Sequence, residues 1–148
     1  MGYTIETTDA PGAEVERTVR RHLAAFNYRV LYGPEAEPPD STWQRVAALA
    51  RDDAGDLVGG LLGEVGWGWL YVDILWVAEA ARGQGVGRGL VQAAEAEAGS
   101  RGVDRAWVIT GDFQAPGFYR RLGYEPFARL DDYPPGHASV FLKKSPLD

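Results

Sequence analysis

The sequence predicts a mixed α/β fold of the α+β type. Three observations carry that reading. Apolar residues at helical spacing give way to strand-like apolar runs, the elements follow as helix, three strands, helix, strand, helix and two strands, and a glycine-rich turn joins an almost wholly apolar strand to a helix. The order lacks the strict alternation of a doubly wound sheet. With 148 residues, 45% of them hydrophobic, the chain has the size of one domain, 1–148, and neither a repeat nor a linker divides it.

A short strand is expected at Tyr3 to Thr7, and Ala13 to Asn27 then sets Val15, Val19, Leu23 and Phe26 on one helical stripe with Arg17, Arg20 and Arg21 off it. Pro34, Pro38 and Pro39 with Glu35 and Glu37 resist both regular structures, so Gly33 to Asp40 reads as an exposed loop. Trp43 to Arg51 and Leu57 to Val65 flank the turn residues Asp52-Asp53-Ala54-Gly55-Asp56 and form a hairpin. Trp69 to Val77 is apolar and aromatic except for Asp73, as in a central strand covered on both faces. Gly85 to Ala98 places Val86, Leu90, Val91 and Ala94 on one helical face. Arg105 to Thr110 is the next strand, and Pro116 to Leu122 a short helix with proline in its first turn and Gly123 past its end. Tyr124 to Leu130 and Ala138 to Lys143 are the last two strands.

Composition narrows the function classes. The absence of cysteine excludes disulfides, thiol nucleophiles and cysteine-bound metal, and with two histidines no metal site is expected. A net charge of -6, from 21 acidic against 15 basic residues, argues against a nucleic-acid partner gripped through its phosphates. No apolar run approaches the roughly 18 residues of a membrane span, and no basic-then-apolar targeting segment opens the chain, so a cytoplasmic protein is expected.

Glycines alternate through Arg82-Gly83-Gln84-Gly85-Val86-Gly87-Arg88-Gly89, between the apolar strand and the first turn of a helix. Unpaired backbone N–H groups and the helix dipole point outward there and make an anion site. Glycine allows positive φ and lets a phosphate reach the amides, and Arg82 and Arg88 add charge. The dinucleotide pattern Gly-x-Gly-x-x-Gly fails, because Arg88 or Leu90 stands where its last glycine belongs, and the Lys-Ser/Thr of the triphosphate loop is missing. Arg-x-x-Gly-x-Gly, at Arg82, Gly85 and Gly87, does fit.

Further on, Asp112-Phe113-Gln114-Ala115-Pro116-Gly117-Phe118-Tyr119-Arg120-Arg121-Leu122-Gly123-Tyr124 closes a short helix with Leu-Gly-Tyr. With Leu75-Trp76-Val77 and the glycine turn, it resembles the GNAT superfamily of acetyl-CoA-dependent N-acetyltransferases over Leu57 to Lys143. Within it, Trp67-Gly68-Trp69-Leu70-Tyr71-Val72-Asp73, Phe113-Gln114-Ala115 and Asp132-Tyr133-Pro134-Pro135-Gly136-His137 are similar to a group of small bacterial members whose substrates are mostly unassigned. The resemblance implies a mixed, mostly antiparallel central sheet of about six to seven strands with helices on both faces.

It also implies acetyl-CoA as cosubstrate. The pantetheine arm would lie against main-chain groups of Leu75, Trp76 and Val77, and the pyrophosphate against Arg82, Gly83, Gln84, Gly85, Val86, Gly87 and Arg88. The N–H of Trp76 or Val77 would polarise the thioester carbonyl. Many members carry an asparagine before the aromatic helix; Asp112 or Gln114 falls there, and Gln114 is the candidate cofactor contact. Tyr119 stands where the family often places a tyrosine that meets the cofactor and protonates the departing thiolate.

The incoming ammonium must lose a proton, and Asp73 is the best candidate base, because its apolar strand is expected to bury it. Strand alternation puts it on one face with Tyr71 and Leu75 unless a bulge intervenes. Glu64 and His137 are the next candidates. Trp67, Trp69, Tyr71 and Trp76 supply either an aromatic wall or core, and Asp131 and Asp132 could face a cationic amine. The implied reaction is acetyl transfer to a primary amine of a small molecule, by direct attack through a tetrahedral intermediate. A protein or peptide amine as acceptor and a non-catalytic acyl-CoA-binding module are the alternatives, and dimerisation is common in the superfamily.

Overall fold

The computed structural model describes residues 2–147. The chain forms two compact units, Met1–Thr42 and Trp43–Asp148. The first is built on α1 (Ala13–Tyr32), whose start has no side-chain cap but carries Glu14 and Glu16, the charge that the amino end of a helix favours. The helix passes its expected end at Asn27 because nothing up to Tyr32 breaks it. Tyr28 and Tyr32 pack one turn apart, 5.1 Å between ring centroids. Gly33, at φ 110°, turns the chain out, and its N–H donates to the Arg29 carbonyl at 3.0 Å. Tyr3 to Thr7, expected as a strand, is irregular. A lone extended segment needs a neighbour for its backbone groups, and this unit offers no strand among the described residues.

The second unit is a six-stranded sheet of β1 (Gln44–Arg51), β2 (Leu57–Gly66), β3 (Trp69–Val77), β4 (Ala106–Gly111), β5 (Glu125–Asp131) and β6 (Ala138–Lys144). The order is β1-β2-β3-β4-β6-β5, and every neighbouring pair is antiparallel except β3 and β4. Helix α2 (Val86–Ser100) joins β3 to β4, and α3 (Pro116–Arg121) joins β4 to β5. The β1–β2 turn closes on Asp52, whose carboxylate accepts from the N–H groups of Ala54 and Asp56 at 3.0 and 2.9 Å.

One face of this sheet carries the core. Val46, Leu61, Leu70, Val72, Val108 and Leu142 meet Leu90, Val91, Ala94 and Ala98 of α2, and Tyr119 and Tyr124 complete the cluster. Each large aliphatic side chain buried here contributes roughly 1.5–3 kcal/mol. Glu95 is buried among them at 6% exposure, and is held by the Tyr124 hydroxyl at 2.9 Å and the Lys144 ammonium at 3.1 Å. Removing one partner would leave a buried carboxylate short of compensation, a loss of about 3–5 kcal/mol in such pairs. Both α2 and α3 lie on this face, and a helix on the opposite face has no counterpart within the unit.

The register of β2 on β3 skips a residue. Leu62 lies opposite Ile74 and Gly63 opposite Val72, so Asp73 has no partner and forms a β-bulge. Before it, Leu70 and Val72 face the core; after it, Leu75 and Val77 do. A Cβ on Gly63 would collide with the Tyr71 carbonyl, so the bulge needs glycine opposite it. Gly63→Ala is therefore expected to destabilise the fold by roughly 1–3 kcal/mol, as overpacking does. The midpoint of chemical denaturation measures this, and an unchanged midpoint would show that the backbone there is free to shift.

Candidate active site

The bulge determines where a cleft opens. β3 pairs with β4 only at Leu70–Val72 against Ala106–Val108, and beyond Val72 the two strands part. A cleft of about 830 Å³ fills the space, lined by the end of β3, the glycine turn and α3. Leu75, Trp76 and Val77 form its inner wall.

Which backbone groups face the cleft follows from the ladder. The Ala78 N–H donates to the Val58 carbonyl at 2.8 Å, and Trp76 lies opposite Gly60 and Val77 opposite Gly59. Antiparallel pairs alternate, so Trp76 directs its N–H and C=O at β2 whereas Leu75 and Val77 turn theirs to the gap. The Val77 carbonyl accordingly accepts from Arg82 Nε at 3.1 Å. Of the two expected polarising donors, the alternation thus leaves Val77, with Leu75 beside it; Trp76 also lines the cleft but spends its backbone groups on β2.

The glycine turn reads as expected. Gly83 and Gly85 have φ of 75° and 84°, and no atom lies within 4 Å of where a Cβ would stand on either. That open space admits a ligand to the backbone, and a side chain would fill it. Gly85 caps α2 without a side-chain bond, and Gly89 N–H to Gly85 C=O at 2.9 Å is the first helical bond, so the amides of Val86, Gly87 and Arg88 remain to bind an anion. A Cβ on Gly87 would stand 3.3 Å from the Phe118 ring, so glycine there lets α2 and α3 approach. Gln84 departs from expectation: its side chain donates to the Ala80 carbonyl at 2.9 Å, ties the turn to the 3₁₀ turn Glu79–Ala81 and lies outside the cleft lining.

The charge around the cleft is one-sided. Arg82, Arg88 and Arg121 line it, and no carboxylate does among the described residues, although the chain is acidic overall. Arg121 and Phe118, on α3, were missed by sequence reasoning. Arg121 had a signal, a second basic residue in Tyr119-Arg120-Arg121, but only the helix phase decides which arginine faces inward.

Gln114 and Asp112 separate cleanly. Gln114 lines the cleft while its Oε1 accepts from the Gly111 N–H at 2.7 Å. Asp112 is taken up by the Ala138 N–H at 3.0 Å and His137 Nδ1 at 3.1 Å, which also accounts for His137. Tyr119 is buried at 5% exposure directly behind Phe118 and does not line the cleft. Its ring meets Phe118 and Tyr124 edge-on at 5.1 and 5.6 Å. No hydrogen-bond partner holds its hydroxyl among the described residues, and burial pushes its pKa up to about 12.

Asp73 is exposed, so the burial expected of it is absent. It shares the outer face with Tyr71, as alternation implied, but the bulge has turned Leu75 to the core face. The Asp73 carboxylate lies near the Tyr71 hydroxyl, and the Tyr71 ring stacks on Trp107 at 4.3 Å. Burial first, then the charge and hydrogen bond of Asp73, then the charge of Glu64, raise the Tyr71 pKa. Glu64, exposed, lies opposite Tyr71 on β2. The aromatic wall is reduced to Trp76: Trp67 occupies the β2–β3 turn at φ 53°, and Trp69 packs under Arg105. Asp131 pairs with Arg129 at 2.6 Å and Asp132 accepts from the Gly136 N–H at 2.8 Å; neither lines the cleft. No group of metal-binding side chains occurs among the described residues, and no helix there is long and apolar enough to cross a membrane.

The Acetyltransferase (GNAT) family model matches residues 12–124. A blasticidin-S acetyltransferase of Streptomyces morookaense is 50% identical over 99 residues, 66% of this chain and 73% of that protein. An acetyltransferase of Agrobacterium fabrum is 34% identical over 137 residues, 93% of this chain and 95% of its own length. The crystal structure of an acetyltransferase from Bacillus cereus superposes with a TM-score of 0.81 at 26% identity, covering 96% of each chain.

The raised tyrosines give a pH test. For Tyr119 the folded pKa lies above the ordinary 10, so the unfolded chain loses that proton first; stability is intact below pH 10 and is lost as pH rises toward 12. A shift of this size corresponds to roughly 2–3 kcal/mol at the upper end. Denaturation midpoints from pH 9 to 11.5 should fall, and Tyr119→Phe should flatten the slope. An equal slope in that variant would assign the alkaline loss to other groups.

Proposed function

We propose, for a chain that belongs to the GNAT family of acetyltransferases, that this acyltransferase moves acetyl from acetyl-CoA to a primary amine of a small molecule by direct attack, and that residues 1–148 work as one N-acetyltransferase domain. The observation that carries the reading is the cleft at the parting of β3 and β4, with free amides and three arginines at one end and backbone donors along the other. The relative named for acetylating blasticidin-S supports a small-molecule acceptor.

The residues present fit acetyl-CoA. The amides of Val86, Gly87 and Arg88, with Arg82, suit a pyrophosphate, and the backbone of Leu75 and Val77 suits an extended amide-bearing arm. Bound there, acetyl-CoA supplies an activated acetyl thioester. The Val77 N–H, with that of Leu75, faces the gap and is fixed by the ladder, so it is preorganised for negative charge on the acetyl oxygen. Asp73, first beyond the last β3–β4 pair and beside Tyr71, takes the proton from the incoming ammonium directly or through water.

The tyrosine for the leaving sulfur is Tyr119, which the ring of Phe118 separates from the cleft, so its hydroxyl reaches the sulfur once that ring moves aside. With a pKa near 12 it stays protonated, but it lies well above a thiol's 8.5, so full transfer in isolation is uphill by about 5 kcal/mol. Its contribution is a hydrogen bond to the developing thiolate, and among the described residues the hydroxyl has no competing partner to give up.

The test is release of thiol from acetyl-CoA with a panel of blasticidin-S, polyamines, aminoglycosides, amino acids and N-terminal peptides. Turnover with a small-molecule amine is expected; turnover with peptides alone would move the acceptor class to proteins. Asp73→Asn should lower kcat by about a hundredfold near neutral pH, within the usual range for acid–base groups. Tyr119→Phe should lower kcat about tenfold with KM for acetyl-CoA unchanged. Wild-type kcat in either case unmatched by such losses would remove that side chain from the mechanism.

A further inference from the structure

We propose that Arg121, together with Arg88, binds the 3′-phosphate of CoA, so that the chain selects 3′-phosphorylated CoA over dephospho-CoA. The inference rests on the acetyl-CoA reading above. Arg88 of α2 and Arg121 of α3 line both the cleft and a second cavity of about 510 Å³ that lies between the two helices. They form the lip over which a ligand longer than the cleft must pass.

Charge at this lip is uncompensated. Lys144 and Glu95, which also line the second cavity, cancel each other at 3.1 Å. Neither arginine has an ion-pair or side-chain hydrogen-bond partner among the described residues. Arg121 Nη1 lies 3.4 Å from where a Cβ on Gly117 would stand, so the guanidinium folds back along α3 rather than extending away from it. In a chain of net charge -6, unpaired guanidiniums from two helices meeting at one lip are a matched pair for a dianion.

The pyrophosphate is already met by the α2 amides and Arg82, which leaves Arg88 and Arg121 for a second anionic group on the same ligand. Arginine forks suit a phosphate monoester, whose oxygens accept two parallel N–H bonds. Coenzyme A carries such a group on the ribose, separated from the pyrophosphate. Dephospho-CoA lacks it and is otherwise identical.

Isothermal titration of the full chain with CoA and with dephospho-CoA tests this. Wild type should bind CoA at least about tenfold more tightly, a typical value for one charge-assisted contact. Arg121→Gln should weaken CoA by that factor and leave dephospho-CoA unchanged, and Arg121→Lys should keep part of the preference. Equal affinity of wild type for the two ligands would overturn the inference without any variant, as would a parallel loss for both in Arg121→Gln. Failure of wild type to bind either ligand would overturn the acetyl-CoA reading and this inference with it.

Discussion

Because Asp73 has no residue opposite it in β2, β3 changes its side-chain alternation there, and its pairing to β4 stops at the residue before. The cleft and its backbone donors descend from that loss of pairing. Backbone donors that a continuous sheet would have spent on β4 are left at Leu75 and Val77, and side chains that would have lain on one face are divided between two. The arrangement holds because Leu75 and Val77 still reach the core after the bulge, so the strand keeps its packing while it gives up its neighbour.

The core supports the same geometry from below. Helix α2 is pressed on the sheet by Leu90, Val91, Ala94 and Ala98, which aims its uncapped amino end at the cleft mouth. Gly87 against Phe118 brings α3 close enough to face the turn. The buried Glu95–Tyr124–Lys144 group ties α2 to β6 and to the residue just before β5. It thereby keeps Tyr124, and the ring of Tyr119 packed on it, in register with the cleft. Electrostatics then divide the site: guanidiniums and amides at the anion end, and carboxylates, Asp73 and Glu64, on the outer face of the sheet near the parting of the strands.

Much was legible beforehand because it is local. The apolar stripes of α2, the turn chemistry at Asp52, the proline opening α3 and the alternating glycines of Gly83 to Gly89 are read within a few residues, where backbone preference and periodicity act. The motif Arg82, Gly85, Gly87 with Leu122-Gly123-Tyr124 pointed to the family that residues 12–124 match. The expected strand at Tyr3 to Thr7 failed for a non-local reason: extended residues count as a strand only when a neighbour pairs with them.

The sequence by itself determined the elements from the first helix onward, their order, the glycine turn between β3 and α2 and the family. It could name Asp73 as an anomaly in an apolar strand, but not that the residue is the extra one in a bulge, since a bulge exists only in the register between two strands. For the same reason, which of Trp76 and Val77 turns its N–H to the gap was open until the ladder to β2 set the alternation. Gln84 and Gln114 look alike in a list of polar residues; one bonds back to Ala80, and the other lines the cleft. Arg121 became part of the site only when α3 packed across from the glycine turn. Which side chain meets which is decided by contacts between residues far apart in the chain, and those the tertiary structure alone supplies.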